Sequence, residues 1–82
     1  MGPFIGLIAI FPYGWAPQGW ALCEGQILRI EHHQALFTLL GTKFGGDGQS
    51  TFALPNMKKQ ADELGDNLTY AIALQGLFPQ HT

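Results

Sequence analysis

Apolar residues in this chain gather into a few short stretches, and each stretch has its own rhythm. Phe4 to Phe11 (FIGLIAIF) is apolar without alternation, the pattern of a strand covered on both faces. Gly6 within it predicts a bulge or a close backbone approach. Pro12 to Gly19 (PYGWAPQG) is turn chemistry throughout. Trp20 to Cys23 and Gln26 to Ile30 then read as two short strands around Glu24-Gly25, a tight hairpin.

Glu31 to Leu40 carries the helical pattern, stopped by Gly41 as a C-terminal cap. At 100° per residue, Ala35, Leu36, Phe37, Leu39 and Leu40 sweep an arc of roughly 200°, with Gln34 and Thr38 opposite. A helix lying on one sheet needs about 100° of apolar stripe, so this one is expected to be covered from two sides. Thr42 to Ser50 holds three glycines and Asp47, too many breakers for a regular element. Thr51 to Leu54 reads as a short extended piece ended by Pro55. Asn56 to Asn67 is the most polar segment and reads as a solvated excursion. From Asn67 to Gln75 the alternation is clean: Leu68, Tyr70, Ile72 and Leu74 on one face, Thr69, Ala71, Ala73 and Gln75 on the other.

Eighty-two residues make one small domain, expected over 1–82, that buries only about 60 to 65% of its unfolded surface. Chains of this size often need a disulfide, a metal or a neighbouring chain. Cys23 is the single cysteine, which excludes an internal disulfide, and no cysteine–histidine spacing suggests zinc. Hydrophobic residues make up 46% and charged ones only 12%, against a usual charged share of about 25%. So little charge cannot coat a monomer, and self-association is the expectation.

A formal charge of -2 with four basic residues argues against nucleic acid, which needs a basic face. No basic n-region precedes the first apolar run and no small-residue cleavage site follows it. That run falls far short of the roughly 20 residues needed to span a bilayer. The expectation is synthesis in a cytoplasm without a signal peptide and without a membrane span.

Few side chains can do chemistry. In the glycine-rich turn, Asp47 stands where a phosphate loop needs Lys, and a Ca²⁺ loop would need several carboxylates; the turn reads as conformational. His32 and His33 are adjacent, so on a helix they diverge by about 100°, whereas helical metal ligands sit at i and i+4. Asp62, Glu63 and Asp66 fall in the polar excursion with no apolar wall to raise a pKa. Ser50 has no histidine at useful spacing, and Cys23 follows Trp20-Ala21-Leu22 as a small buried hydrophobe. No catalytic residue, metal or cofactor is expected. Tyr13 and Trp15, in a loop beside Pro12 and Pro17, are the candidates for binding a ligand, since loop aromatics stack on sugar rings or anchor partners. The plainer alternative is that Trp15 packs over the prolines to pin the loop.

These residues also carry a resemblance. Gly6, Ile8 and Phe11 are followed by Ala16, Pro17, Gly19, Trp20, Ala21, Leu22, Cys23, Gly25, Gln26 and Leu28. The helix supplies Ala35, Leu36, Phe37, Leu39, Leu40, Gly41 and Thr42. Gly45, Gly46, Asp47, Gly48, Thr51, Phe52, Leu54 and Pro55 complete the pattern. In that order they resemble the phage tail collar domain family, also found in bacterial proteins described as microcystin-dependent-like. The stretch from Tyr70 to Pro79 is similar to the closing strand of compact members. Three departures stand out. The first strand here is uncharged at Leu7, Ala9 and Ile10. Asn56-Met57-Lys58-Lys59-Gln60 replaces a common D-L-R-G-R, and no long insertion precedes the last strand.

The resemblance implies a strand-rich α+β domain of short strands around one central helix, completed by trimerisation. It implies a non-enzymatic structural or adhesive module of a phage tail fibre or tail-like particle, a homotrimer located in the virion tail. Its partners would be its own copies, other tail or baseplate proteins and host surface glycan, with host recognition as the adhesin's role. The structural motif would be Gly19, Trp20, Cys23, Gly25, Gly41, Gly45, Gly46, Asp47, Gly48 and Pro55. The alternative function is a carbohydrate-binding module using Tyr13 and Trp15.

Overall fold

The computed structural model describes residues 2–80. Five strands form: β1 (Ile8–Phe11), β2 (Trp20–Leu22), β3 (Ile27–Arg29), β4 (Thr51–Ala53) and β5 (Thr69–Ala73). Between β3 and β4 lie a 3₁₀ turn (Ile30–His32) and helix α1 (Gln34–Leu40), and α2 (Lys58–Leu64) precedes β5. One sheet has the order β1-β5-β2 and the other pairs β3 with β4, all antiparallel. The mixed α+β, strand-rich architecture expected from the sequence is the one observed.

The last strand is the centre of the larger sheet. Ile72 of β5 stands opposite Ile8 on one side and Ala21 on the other. It is buried completely in a core with Ile5, Cys23, Leu36, Phe52 and Leu54. Residues directly opposite share a face and neighbours along a strand alternate. The other face of β5 therefore carries Thr69, Ala71 and Ala73, flanked by Phe11, Trp20 and Leu22. Ala71 and Ala73 are wholly buried as well, with Leu22 and Trp20 of β2 opposite them.

Four local expectations need correction. Phe4 to Phe11 is not a strand enclosed on both faces: β1 begins only at Ile8, lies at a sheet edge, and leaves Ile8 and Ile10 exposed. The bulge at Gly6 is present. Its N–H donates to the Ala73 carbonyl while the Ala73 N–H donates to Leu7, so two residues face one.

β2 and β3 form as strands but not as a hairpin. Gly25 N–H donates to Pro55, Met57 N–H to Cys23 and Leu54 N–H to Gln26. The Glu24-Gly25 turn thus spends its backbone groups on the segment after β4, and the two strands diverge into different sheets.

The expected helix is split by His33, at φ −146° and ψ 50°, into the 3₁₀ turn and α1. Gly41 does end it, donating to the Phe37 carbonyl. Of the broad apolar arc only Leu36 is fully buried; Phe37, Leu39 and Leu40 are half-buried and Ala35 is exposed. Within one copy the helix is covered from one side.

The polar excursion is solvated, yet it is helical. KKQADEL is rich in good helix formers, and the Lys58 N–H donates to Asn56 Oδ1 at 3.2 Å. Positive φ at Gly65, Asp66 and Asn67 ends the helix and turns the chain into β5.

Candidate functional site

Phe11 closes β1, and Tyr13 and Trp15 follow at every second residue where the chain bends away from the strand. Their rings form a row. Trp20 meets Phe11 edge to face at 5.0 Å, Phe11 stacks on Tyr13 at 5.7 Å, and Tyr13 stacks on Trp15 at 4.4 Å. The inner end of the row rests on the sheet, and a hydrogen bond from Thr69 Oγ1 to the Tyr13 carbonyl at 2.9 Å ties the loop to β5. Trp15 at the outer end is 64% exposed.

This arrangement separates two residues that the sequence treats as equals. Tyr13 is half-buried between two rings, while Trp15 is backed on one side only. Trp15 is the exposed end of the row, and Tyr13 is the ring stacked against it. The period-two spacing of 11, 13 and 15 was the available signal that Phe11 belongs to the same feature.

A cleft of about 280 Å³ opens beside Gly14, between this loop and α2. Glu24, Lys58, Asp62, Asp66, Asn67 and Thr69 line it. Asp62 and Asp66 thus share one polar wall, and Glu63 is exposed on α2. The cleft presents hydrogen-bonding groups, and Gly14, between Tyr13 and Trp15 in the chain, forms part of its wall.

The glycine-rich turn is a second built feature, organised by Asp47. Its Oδ1 accepts from the N–H groups of Gln49 and Ser50 at 2.8 Å and of Thr51 at 3.0 Å, and Ser50 Oγ bonds to Oδ2 at 3.2 Å. These N–H donors hold the carboxyl well below the usual carboxylate range. The same donors point inwards at Asp47, so the loop offers no cradle to a phosphate. Gly46, at φ +92°, passes so close to β4 that an added Cβ would stand 2.7 Å from both Phe52 N and Thr51 O. Asp47's role as hub was not legible beyond its place in the motif, because a lone carboxylate does not announce which amides it collects.

The other motif positions lie at element boundaries. Gly19 accepts from Leu74 N–H, Gly45 from Ala53 N–H, and Gly48 donates to Thr51. Gly25 faces Asn56, Gly41 ends α1, Trp20 opens β2, and Pro55 is buried after β4. Cys23 is 2% exposed, and burial pushes its thiol up to about 11. It packs as a hydrophobe in the core, the place its sequence neighbours suggest. His33 starts α1 and its pKa is lowered by burial and by the neighbouring His32, which itself lies 3.8 Å from Glu31. Among the described residues, no three His, Cys, Asp or Glu side chains gather as a metal set, and no helix is long and apolar enough to cross a membrane.

Against known proteins, residues 6–61 match the family model described as Phage Tail Collar Domain. No curated protein matches the chain. The matched span runs from the bulge at Gly6 into α2. It takes in the aromatic row and the Asp47 turn but stops before β5, although β5 is the strand that holds the larger sheet together.

Proposed function

The chain belongs to the phage tail collar domain family, a structural family of phage tails, and on that premise we propose that it acts as a non-catalytic homotrimeric module of a tail fibre. The observation that carries the homotrimer is the separation of charge from grease. All ten charged side chains lie between Glu24 and Asp66. The flanking segments that build the larger sheet have none, yet Phe4, Leu7, Ile8, Ile10, Leu77 and Phe78 on them are each 39 to 54% exposed. Exposed apolar surface without charge around it is characteristic of a face covered by another chain. Light scattering at micromolar concentration tests the reading: a mass near three times 9.0 kDa is expected, and a persistent monomer overturns it.

A second reading, adhesion to host surface glycan, is favoured by one observation: Trp15 is the exposed terminus of a stacked row beside a polar cleft. A sugar ring would stack on the outer face of Trp15 while Asp62, Asp66 and Asn67 meet its hydroxyls. On a glycan array, Trp15→Ala abolishes binding while the melting temperature stays within about 2 °C, because an exposed side chain contributes little stability. Equal binding by wild type and Trp15→Ala, or none by either, removes the reading and leaves the structural role.

A further inference from the structure

The larger sheet has two edges, and they are unlike. In antiparallel pairs, successive residues alternate between bonding the partner strand and pointing away. On the β2 side, Leu74 N–H donates to Gly19 and Cys23 N–H to Tyr70, so the backbone groups of Trp20 and Leu22 face outwards. They are largely occupied locally. Trp20 N–H donates to Pro17, while the Leu22 carbonyl accepts from Glu24 N–H and from Gln26 Nε2. That edge is blunted.

The β1 edge is open. The exchange between Gly6, Leu7 and Ala73, with the register Ala9 to Ala71 and Phe11 to Thr69, directs the N–H and C=O groups of Ala9 and Phe11 at β5. Those of Ile8 and Ile10 point away from the sheet and take no hydrogen-bond partner among the described residues. Both side chains are also exposed, at 39% and 49%. Natural edges of this kind are normally protected by Lys, Pro, a covering loop or a bulge along the exposed stretch. The bulge at Gly6 lies before Ile8, and Ile8–Phe11 has no charge and no proline.

We infer that the β1 edge receives an extended segment of a neighbouring copy, which bonds to the outward backbone of Ile8 and Ile10 and covers the apolar corner around them. The inference rests on the self-association proposed above and gives it a location. Its occupant follows from chemistry and area. Residues 2–23 and 67–80 hold no charged side chain, so the corner offers nothing to a partner recognised by charge. Phe4 is bridged to Leu77, with Leu7 and Phe78 close by in the chain. Together with Ile8 and Ile10 these side chains expose on the order of 500 Å² of apolar surface, taking about half of each large side chain. That approaches the roughly 800 Å² per partner of a standard stable interface. A second copy is the partner sure to carry the same uncharged surface at matching abundance. In a threefold ring contacts are head to tail, so the added segment comes from a part of the neighbour other than its own β1.

Amide hydrogen exchange on the assembled protein reads the edge directly. Protection of the Ile8 and Ile10 amides by at least about 100-fold over a free chain is expected, alongside the Ala9 and Phe11 amides that bond β5. Ile10→Pro removes an outward N–H that the subunit itself does not use, a substitution edge strands accept. It should cut the mass by scattering to that of one copy while keeping the fold. If Ile10→Pro does not fold, Ile10→Lys makes the same test through charge. An assembled protein whose Ile8 and Ile10 amides exchange as fast as free chain overturns the location but leaves self-association standing. A monomer at every concentration overturns both.

Discussion

Phe11 and Trp20 stand on opposite edge strands of one sheet, yet their rings meet at 5.0 Å. Strand spacing sets the two strands roughly 10 Å apart, and Phe11 stands opposite Thr69 while Trp20 stands opposite Ala73, so the rings reach towards each other diagonally across β5. They can do so because β5 presents Ala71 and Ala73 there, with nothing beyond a methyl. Ala71→Val places two extra methyls in occupied space, and overpacking of this kind costs about 1–3 kcal/mol. For a domain of this size each kcal/mol lowers the melting temperature by roughly 4–8 °C. An unchanged or raised melting temperature would show that the rings do not close over Ala71, since valine's strand propensity alone acts in the opposite direction.

Gly46 and Gly41 both adopt positive φ, but their surroundings differ. An added Cβ at Gly41 meets nothing within 4 Å, whereas at Gly46 it meets the backbone of Thr51 and Phe52. Gly41 sits at φ 55° and ψ −145°, backbone essentially reserved for glycine, so Gly41→Ala should cost about 1–3 kcal/mol, the conformational penalty alone. Gly46→Ala adds a backbone collision that no rotamer relieves, and a loss of at least about 3 kcal/mol is expected from strain and displacement of β4. Urea unfolding of the two variants side by side checks the order, and equal losses would mean that the turn yields freely.

Asp47 gives the fold an acid sensitivity. Its carboxyl is held below its unfolded value by the N–H donors of Ser50, Thr51 and Gln49. The native state therefore favours the ionised form. Its contribution is complete above the unfolded pKa, near 4, and is lost as pH falls from there towards the depressed native value. Between pH 6 and pH 2.5 the wild type should lose more melting temperature than Asp47→Asn, whose amide does not titrate. Parallel curves for the two proteins would remove Asp47 from the acid response.

Much of this arrangement was legible in the chain. The breakers marked the turns, Gly41 marked the end of α1, and the alternation from Asn67 to Gln75 marked β5. Pairing was harder, because it depends on groups far apart in sequence. Glu24-Gly25 looks like a hairpin turn until Pro55 takes the Gly25 N–H and Met57 the neighbouring Cys23 carbonyl. Uniform apolarity in Phe4 to Phe11 reads as full burial, yet the same residues stand on an edge, a distinction that lies in what is beside the strand. At the aromatic row, Tyr13 and Trp15 could be picked from composition, but that Tyr13 lies inside the row and Trp15 at its exposed end appears only once the stacking order is known.

Gln26 is the residue that turns the would-be hairpin aside. Its Nε2 donates to the Leu22 carbonyl at 2.8 Å while its Oε1 accepts from the Glu24 N–H at 3.1 Å, so one amide side chain satisfies both sides of the turn. Gln26→Glu keeps the acceptor and the size but replaces the donor with a second oxygen facing a carbonyl. The Leu22 carbonyl is then left with the Glu24 N–H as its remaining partner, and a carboxylate is brought against it. A loss of about 1–3 kcal/mol is expected for a repulsive, part-buried exchange of this type, and Gln26→Ala, which removes both bonds without repulsion, should cost less. Lowering the pH to 4 would partly restore Gln26→Glu by protonating the new carboxyl into a donor, and would leave Gln26→Ala where it was. Denaturant midpoints at pH 7 and pH 4 for both variants decide the matter: if Gln26→Glu gains nothing over Gln26→Ala on acidification, the bond to Leu22 is not what holds this turn.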